Sequence, residues 1–356
     1  MSSSSRLTER LDHPAVEVGE LSVDVADLIL LGLRDRDWST LEILASVGMA
    51  LSRDPELEVP SEVSHAAATA FRVQHRLISA NDFLTWLRER ALTVDDLAGF
   101  LDRKLRRQRA TPERLRSLSA AAARPSDDVI SDLLWPEAIG SRALDTLAGE
   151  AADLLIAADA YRDNTPAASE GRAEAEDIPA CGALSGLSPE EVAGRVDRLS
   201  AYEAALRRMR ADAAEPGALR RCLASHSLDW LSVSGTELEL TTEGAALEAR
   251  LLIAEDGLEP AAVAALSGQR AAAPPRRLEM LIAEAPPAIS GLLAASAPGE
   301  VVGPWPAGDH WRLLMVQAKQ PPSLEAPALR ARALEERLQV ALHRHGAGRV
   351  RRPLAL

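Results

Sequence analysis

Two residues of the chain have the types and the spacing that nucleophilic catalysis needs. Cys222 and His226 are four positions apart, so on a helix they share one face, where an imidazole can act as the base for a thiol. No third group that would orient the imidazole is visible nearby. The sequence therefore favours the other interpretation, in which Cys222 is a small buried residue at a helix end.

The other close sets of titratable residues have simpler explanations. His343 and His345 are two positions apart, so on a helix they face away from one another and make a poor metal site. Adjacent acids such as Asp95-Asp96 lie at predicted helix starts, where negative charge compensates the helix dipole. Because no phosphate-binding glycine loop, metal-binding spacing or nucleophile elbow is present either, we predict no cofactor and no metal.

The charge and the apolar runs exclude further classes of protein. The 356 residues carry a formal charge of −13, which argues against a nucleic-acid binder. The two cysteines are too few and too far apart to indicate a disulfide framework or a zinc site. No signal peptide is visible and no apolar run approaches the ~20 residues that span a bilayer. We therefore expect a cytoplasmic protein without membrane insertion.

The elements that must position any site are mostly helices. The chain is 47% hydrophobic with only 3% aromatic residues, and its most frequent residues favour helix. Apolar positions recur every three or four residues from 21 to 162, which predicts a run of helices there. Ser79 and Thr93 mark two helix starts, because each is followed three residues later by an acid, Asp82 and Asp96.

The pattern changes twice in the second half. Residues 163–187 lack an apolar face, which predicts a loop or linker, and helices at 188–212 and 216–225 follow. After His226 strands alternate with helices. The predicted strands are 228–233, 237–240, 277–283, 300–305 and 310–317, and the predicted helices are 242–255, 260–266, 286–295 and 324–343.

Several stretches of this second part resemble one family. They are Pro298-Gly299-Glu300-Val301-Val302-Gly303-Pro304, Gly308-Asp309-His310-Trp311-Arg312-Leu313, the helix 242–257, and 321–333. Together with the order strand, helices, strand, helix, hairpin, they resemble the parvulin family of peptidyl-prolyl isomerases, arranged as in SurA-like chaperones. The resemblance implies a helical body plus a parvulin-like domain.

Carried over to this sequence, the resemblance implies candidate site residues. His310 matches the second histidine of the parvulin centre, and Trp230 occupies the place where the first is expected. The family's substrate-pocket Met and Phe fall near Ala285 and Ile289, and its glycine-rich strand is replaced by 277–281. Because the aromatic floor is missing, we expect weak isomerase chemistry against an amide barrier of ~20 kcal/mol. The candidate peptide-binding residues are Trp230, Met280, Ile289, Trp305 and Trp311.

Two interpretations of these side chains stay open at this point. His310 is either a surviving catalytic histidine or a strand histidine at the mouth of a hairpin, and the second is favoured. Trp305 and Trp311 either line a peptide groove or fill a core that is poor in rings.

The sequence thus predicts a mainly α fold with an α+β module. We expect a helical body over 1–225, a parvulin-like domain over 226–320, and a C-terminal helix over 321–356 that packs back on the body. The resemblance implies a chaperone or escort that binds a peptide or an unfolded segment, similar to isomerase-related proteins associated with maturation of ribosomally made peptides. An active prolyl isomerase and a helical adaptor are the alternatives. The sequence identifies neither the client nor the oligomeric state.

Overall fold

The computed structural model describes residues 7–35, 37–121, 127–162, 184 and 186–354. These residues form fourteen α-helices and two small antiparallel sheets, so the mainly helical character expected from the sequence is confirmed. None of the helices in this part of the chain is long and apolar enough to cross a membrane. Most of the predicted loop at 163–187 lies outside the described residues.

In the described part of the chain, two strands are followed by ten helices, and strands and helices are mixed only in the last third. The helices are α1 (Val25–Arg34), α2 (Asp37–Ser52), α3 (Ser61–Gln74), α4 (Ala80–Glu89), α5 (Val94–Arg109), α6 (Pro112–Ala121), α7 (Asp127–Gly140), α8 (Ala143–Ala160), α9 (Pro189–Ala213), α10 (Pro216–Ser225), α11 (Glu243–Ala254), α12 (Pro260–Ser267), α13 (Pro287–Ala295) and α14 (Pro327–Gly346). The strands are β1 (Pro14–Val18), β2 (Leu21–Asp24), β3 (Ser232–Leu240), β4 (Ala271–Leu281), β5 (Val301–Ala307), β6 (His310–Gln320) and β7 (Val350–Arg351).

The chain divides into two units. The first comprises Met1–Met209 and Ala341–Leu356, and the second Arg210–Val340. The second unit is larger than the predicted module at 226–320. It includes α10 and most of α14, because Leu219 and Leu223 of α10 pack with Leu329 of α14 around Trp230.

The helix starts of the first unit follow the predicted chemistry. Ser79 and Thr93 are the N-caps of α4 and α5, and each forms a capping box with the acid three residues later. Such a cap satisfies helix N–H groups that have no partner within the helix. The two predicted helix starts are therefore confirmed.

The first unit also contains a small sheet, of order β2-β1-β7, that the helical prediction missed. The expectation of helix from residue 21 is wrong for β2, because Gly19, with φ of 62°, lets the chain turn back and pair β1 with β2. β1 has only five residues, and its buried positions do not alternate, since Ala15 and Val16 are both buried. The third strand, β7, comes from the far end of the chain, and local periodicity cannot reveal such a pairing.

A buried carboxylate ties three helices of the first unit together. Glu137 of α7 is 1% exposed, and it accepts hydrogen bonds from Arg103 at 2.7 Å and from Arg107 at 3.1 Å, both on α5. Arg107 also donates to the carbonyl of Leu44 on α2. Since each charge has a partner, this network is compatible with burial.

The second unit is built on a four-stranded antiparallel sheet of order β4-β3-β6-β5. Along the chain the elements are β3, α11, α12, β4, α13, β5 and β6. α13 packs on one side of the sheet, called here the α13 face, and α11 with α12 packs on the other, the α11 face. Of the predicted strand at 228–233 only the last two residues belong to β3; the predicted hairpin at 300–317 is present, with longer strands.

Gly235 is required where the two central strands of this sheet meet. A Cβ at this position would lie 2.2 Å from the carbonyl oxygen of Met315 on β6, which is far inside contact distance. The pairing of β3 and β6 shifts register beside it, between Ser234 and Gly235. Only glycine therefore allows the backbones to approach so closely.

Candidate functional site

The α13 face of the sheet has an apolar half and a polar half. Side chains alternate along a strand, so the register places alternate residues of all four strands on this face. α13 covers the apolar half through Ile289 and Leu293. The apolar half consists of Val233, Leu278, Met280, Val302, Trp305, Leu314 and Val316. The polar half consists of the charged residues and the histidine that the register places on this face, namely Glu237, Glu239, Arg276, His310 and Arg312.

Glu237 is the centre of the polar half. Its side chain is 2% exposed, and it accepts a hydrogen bond of 2.5 Å from Nε of Arg276 on β4. Nη1 of Arg312 on β6 lies 3.5 Å from its other oxygen, and Nη2 of Arg312 lies 3.8 Å from Glu239. The hydrogen bond to Glu237 and its negative charge raise the pKa of Arg276. Two guanidinium groups thus flank one buried carboxylate.

Two buried polar atoms of this half have no hydrogen-bond partner among the described residues. They are Nδ1 of His310 and Nε of Arg312, whose side chains lie on the same face, two positions apart on β6. Buried polar groups usually have partners, because desolvation without a hydrogen bond costs free energy. The guanidinium nitrogen is a donor and the ring nitrogen is a donor or an acceptor, so the polar half is held together with two hydrogen-bonding groups unused by the described residues.

The structure separates the predicted peptide-binding residues. Met280, Ile289 and Trp305 lie together on the α13 face, in the apolar half, where Ile289 is 2% and Trp305 4% exposed. Trp305 pairs with Arg312 across β5 and β6, so it lies at the boundary of the two halves, and His310 is two positions from Arg312 on the same face. Trp311 points to the opposite side and packs in the α11 face.

Trp230 lies outside the sheet. It precedes β3 and is stacked on His226, with ring centroids 4.4 Å apart, while Arg332 lies over its ring at 5.5 Å. Its neighbours are apolar residues of α10 and α14. The structure thus places Trp230 in the core between two helices.

Cys222 and His226 are adjacent but poorly suited to nucleophilic catalysis. Sγ of Cys222 lies 3.9 Å from Nδ1 of His226, and that nitrogen also lies 3.0 Å from the Cys222 carbonyl oxygen. Burial raises the pKa of the Cys222 thiol, which disfavours the thiolate. The pair therefore fits the favoured interpretation of a buried residue at a helix end.

A cavity of about 330 Å³ opens beside α13. It begins where β4 ends, at Ile282 and Ala283, and the exposed Leu228 and Asp229 lie beside them, since Ala283 donates a backbone hydrogen bond to the carbonyl of Asp229. Most of its wall is apolar or small. The remaining lining residues are Ala285, Pro287, Ser290, Gly291 and Ala294. None of His310, Met280, Ile289, Trp305 and Trp311 lines it, so these residues do not converge on this cavity.

Sequence reasoning missed the charged residues of the polar half. Glu237 and Glu239 alternate with two leucines along β3, and this pattern signals a strand with one polar and one apolar face. The partners Arg276 and Arg312 lie 39 and 75 positions beyond Glu237, respectively. Their meeting depends on the register of the sheet, which the sequence pattern alone leaves undetermined.

The described residues contain no group of three or more His, Cys, Asp or Glu side chains that could hold a metal ion. Comparison of the chain with protein-family models, with curated proteins and with solved structures gave no significant match in any of the three.

Proposed function

We propose that the second unit binds an extended peptide or unfolded segment, in the role of a chaperone or escort built on a parvulin-like scaffold. The observation that carries this proposal is the position of β4. It forms one edge of the four-stranded sheet, and the apolar cavity begins at its end. An extended peptide can add to such an edge as a further strand, with main-chain hydrogen bonds for affinity and a side-chain pocket for specificity.

The two edges of the sheet differ in their capacity to accept a strand. β5, at the far edge, carries Pro304 and Pro306, which have no N–H to donate. β4 contains Pro274 and Pro275 in its first half, but its second half, 276–281, has no proline. Six residues in extended conformation span roughly 20 Å. This segment is therefore the part of the sheet suited to peptide addition.

The cavity adds a preference for an apolar side chain. Its small lining residues, among them Gly291 and Ala294, leave room for at least one aliphatic side chain of the peptide. Burial of one such side chain contributes about 1.5–3 kcal/mol. Leu228, which is 57% exposed at the rim, can extend this apolar contact.

The same face favours binding over efficient isomerisation. The order of elements from β3 to β6 agrees with the order on which the parvulin resemblance rests. A prolyl isomerase must hold the proline ring in a water-poor pocket, but Ile289 and Trp305 are already buried together in one apolar cluster. We expect His310→Ala to leave peptide affinity nearly unchanged.

NMR exchange spectroscopy of proline-containing peptides mixed with the full chain tests the proposal, since one spectrum reports both binding and cis/trans interconversion. Line broadening without faster exchange is the expected result. Faster exchange at catalytic protein concentration would instead establish the alternative of an active isomerase. Absence of both effects would reject peptide binding and favour the helical adaptor.

A pair of matched variants locates the binding site. Gly291 and Gly244 both lie in helices, and a Cβ at either position meets nothing within 4 Å. Only Gly291 lines the cavity. We expect Gly291→Leu to fill the cavity and weaken peptide binding about tenfold or more, and Gly244→Leu to leave it unchanged. Equal affinities of the two variants would exclude the cavity as the binding site.

A further inference from the structure

We infer that the peptide held by β4 carries a carboxylate beside Arg276, an even number of residues away from the apolar side chain that enters the cavity. This inference rests on the proposed function and names its substrate class: extended segments that combine one apolar anchor with one acidic residue at fixed spacing.

The spacing follows from the geometry of the strand. Along β4 the residues Arg276, Leu278 and Met280 point to the α13 face, and Ile282 beyond them lines the cavity. Side chains of an added strand alternate in the same way, so only every second residue of the peptide points to this face. An anchor beside 280–282 and a partner of Arg276 are therefore four or six residues apart, or roughly 13–20 Å.

Arg276 has the free donors that such a carboxylate needs. Its Nε donates to Glu237, but its terminal Nη atoms make no hydrogen bond to a described residue, and its side chain is 57% exposed. Planar guanidinium groups bind carboxylates through paired N–H donors, which matches an acidic side chain or a C-terminal carboxylate.

The charges of β4 favour an acidic peptide residue on the α13 face, at the Arg276 end of the strand. Pro275 precedes Arg276, so strand addition ends close to the guanidinium. On the opposite face β4 itself carries one charge of each sign, Arg277 and Glu279, beside an added strand. On the α13 face Arg276 is the only charged residue of β4, and its acidic partner Glu237 is buried on β3, one strand further from the peptide. An acidic residue at odd spacing from the anchor therefore gains little.

Fluorescence anisotropy of labelled peptides with the full chain tests the inference. Each peptide has twelve residues, one of which is Leu. A Glu or a Gln stands four, five or six residues to either side of this Leu, and the remaining residues are uncharged. At the even spacings we expect Glu peptides to bind about two- to fivefold more tightly than Gln peptides, the range of a cross-strand pair of opposite charge. At the odd spacing we expect no difference. Because Glu and Gln are compared on the unaltered protein, this result does not depend on the folding of a variant.

The adjacent arginines supply the matched variants. Arg276→Gln should abolish the preference for Glu, whereas Arg277→Gln, on the other face of the same strand, should retain it. Equal binding of Glu and Gln peptides at even spacing, or a preference that persists in Arg276→Gln, would overturn the inference and leave the proposed function intact. If no peptide of the panel binds, the proposed function fails and the inference fails with it.

Discussion

The variant Glu237→Gln tests whether the buried carboxylate organises the polar half of the α13 face. The substitution keeps the size of the side chain and removes its charge. The amide retains one oxygen that can accept from Arg276, but it turns a donor toward Arg312, which is itself only a donor. The sheet thus loses a charge pair and gains an unfavourable contact.

The exposure of the partners sets the magnitude. Removing one member of a fully buried ion pair costs about 3–5 kcal/mol, because the other charge stays buried without compensation. Here the side chains of Arg276 and Arg312 are 57% and 30% exposed, so water can solvate both. We therefore expect Glu237→Gln to lower the free energy of unfolding of the second unit by only about 1–2 kcal/mol.

A second buried carboxylate provides the comparison. Glu137 is 1% exposed, and its partners Arg103 and Arg107 are only 9% and 13% exposed. Glu137→Gln should therefore lower the free energy of unfolding of the first unit by about 3–5 kcal/mol. Glu113, paired with Arg116, is 75% exposed and serves as the control. Glu113→Gln should have no measurable effect.

Hydrogen exchange followed by mass spectrometry is the appropriate assay, because it reports stability separately for each part of the chain. For Glu237→Gln we expect protection of peptides from β3, β4 and β6 to fall roughly 5- to 30-fold. For Glu137→Gln a larger loss should appear in α2, α5 and α7. Equal losses in the two variants, or no loss for Glu237→Gln, would refute the argument that partner exposure determines the cost.

Three further predictions concern other parts of the chain. Gly235→Ala should destabilise the second unit by about 1–3 kcal/mol in chemical denaturation, because the methyl group meets the Met315 backbone; a neutral effect would exclude the close approach. Because burial raises the pKa of Cys222, iodoacetamide at pH 8 should modify it far more slowly in the folded than in the unfolded chain, as measured by peptide mass spectrometry; equal rates would contradict its burial. Burial, followed by the charges of Arg142 and Arg90, lowers the pKa of His75 in the folded state. As the pH falls, His75 is therefore protonated at a higher pH in the unfolded chain than in the folded chain. The stability of the first unit should therefore be complete above about pH 6.5 and decline below it, and His75→Phe should remove this part of the dependence in pH-resolved denaturation.

The sequence predicted those elements whose signals are local. The caps at Ser79 and Thr93 lie within four residues of the groups that they satisfy, so each can be recognised without the rest of the fold. The hairpin of β5 and β6 is likewise marked by its own turn, with Gly308 at φ of 64°. By contrast, β1 pairs with β7, which comes more than 300 residues later, and no local pattern contains that information.

The candidate site was less predictable for the same reason. His310 and Trp305 belong to one hairpin, and the structure indeed places them on one face. Glu237, Arg276 and Arg312 come from three strands. Their juxtaposition depends on the register of β3 with β4 and on that of β3 with β6, which shifts between Ser234 and Gly235. A displacement of one residue would turn each of these side chains to the α11 face.

The division of the α13 face into an apolar and a polar half explains how this scaffold can bind a peptide without catalysing cis/trans isomerisation of its prolyl bonds. α13 brings Ile289 and Leu293 into one cluster with Trp305 and Leu314, so the rings and aliphatic groups on this face already contact one another. The polar half contains two guanidinium groups and two carboxylates, which pair with one another and offer no apolar contact to a proline ring. Rotation about an amide with a barrier of ~20 kcal/mol is promoted in a dry pocket that holds the proline ring, and paired charges do not form such a pocket. An isomerase on this scaffold would need α13 to withdraw, which would expose the core of the sheet, and we therefore expect affinity for extended segments to be retained where catalysis is not.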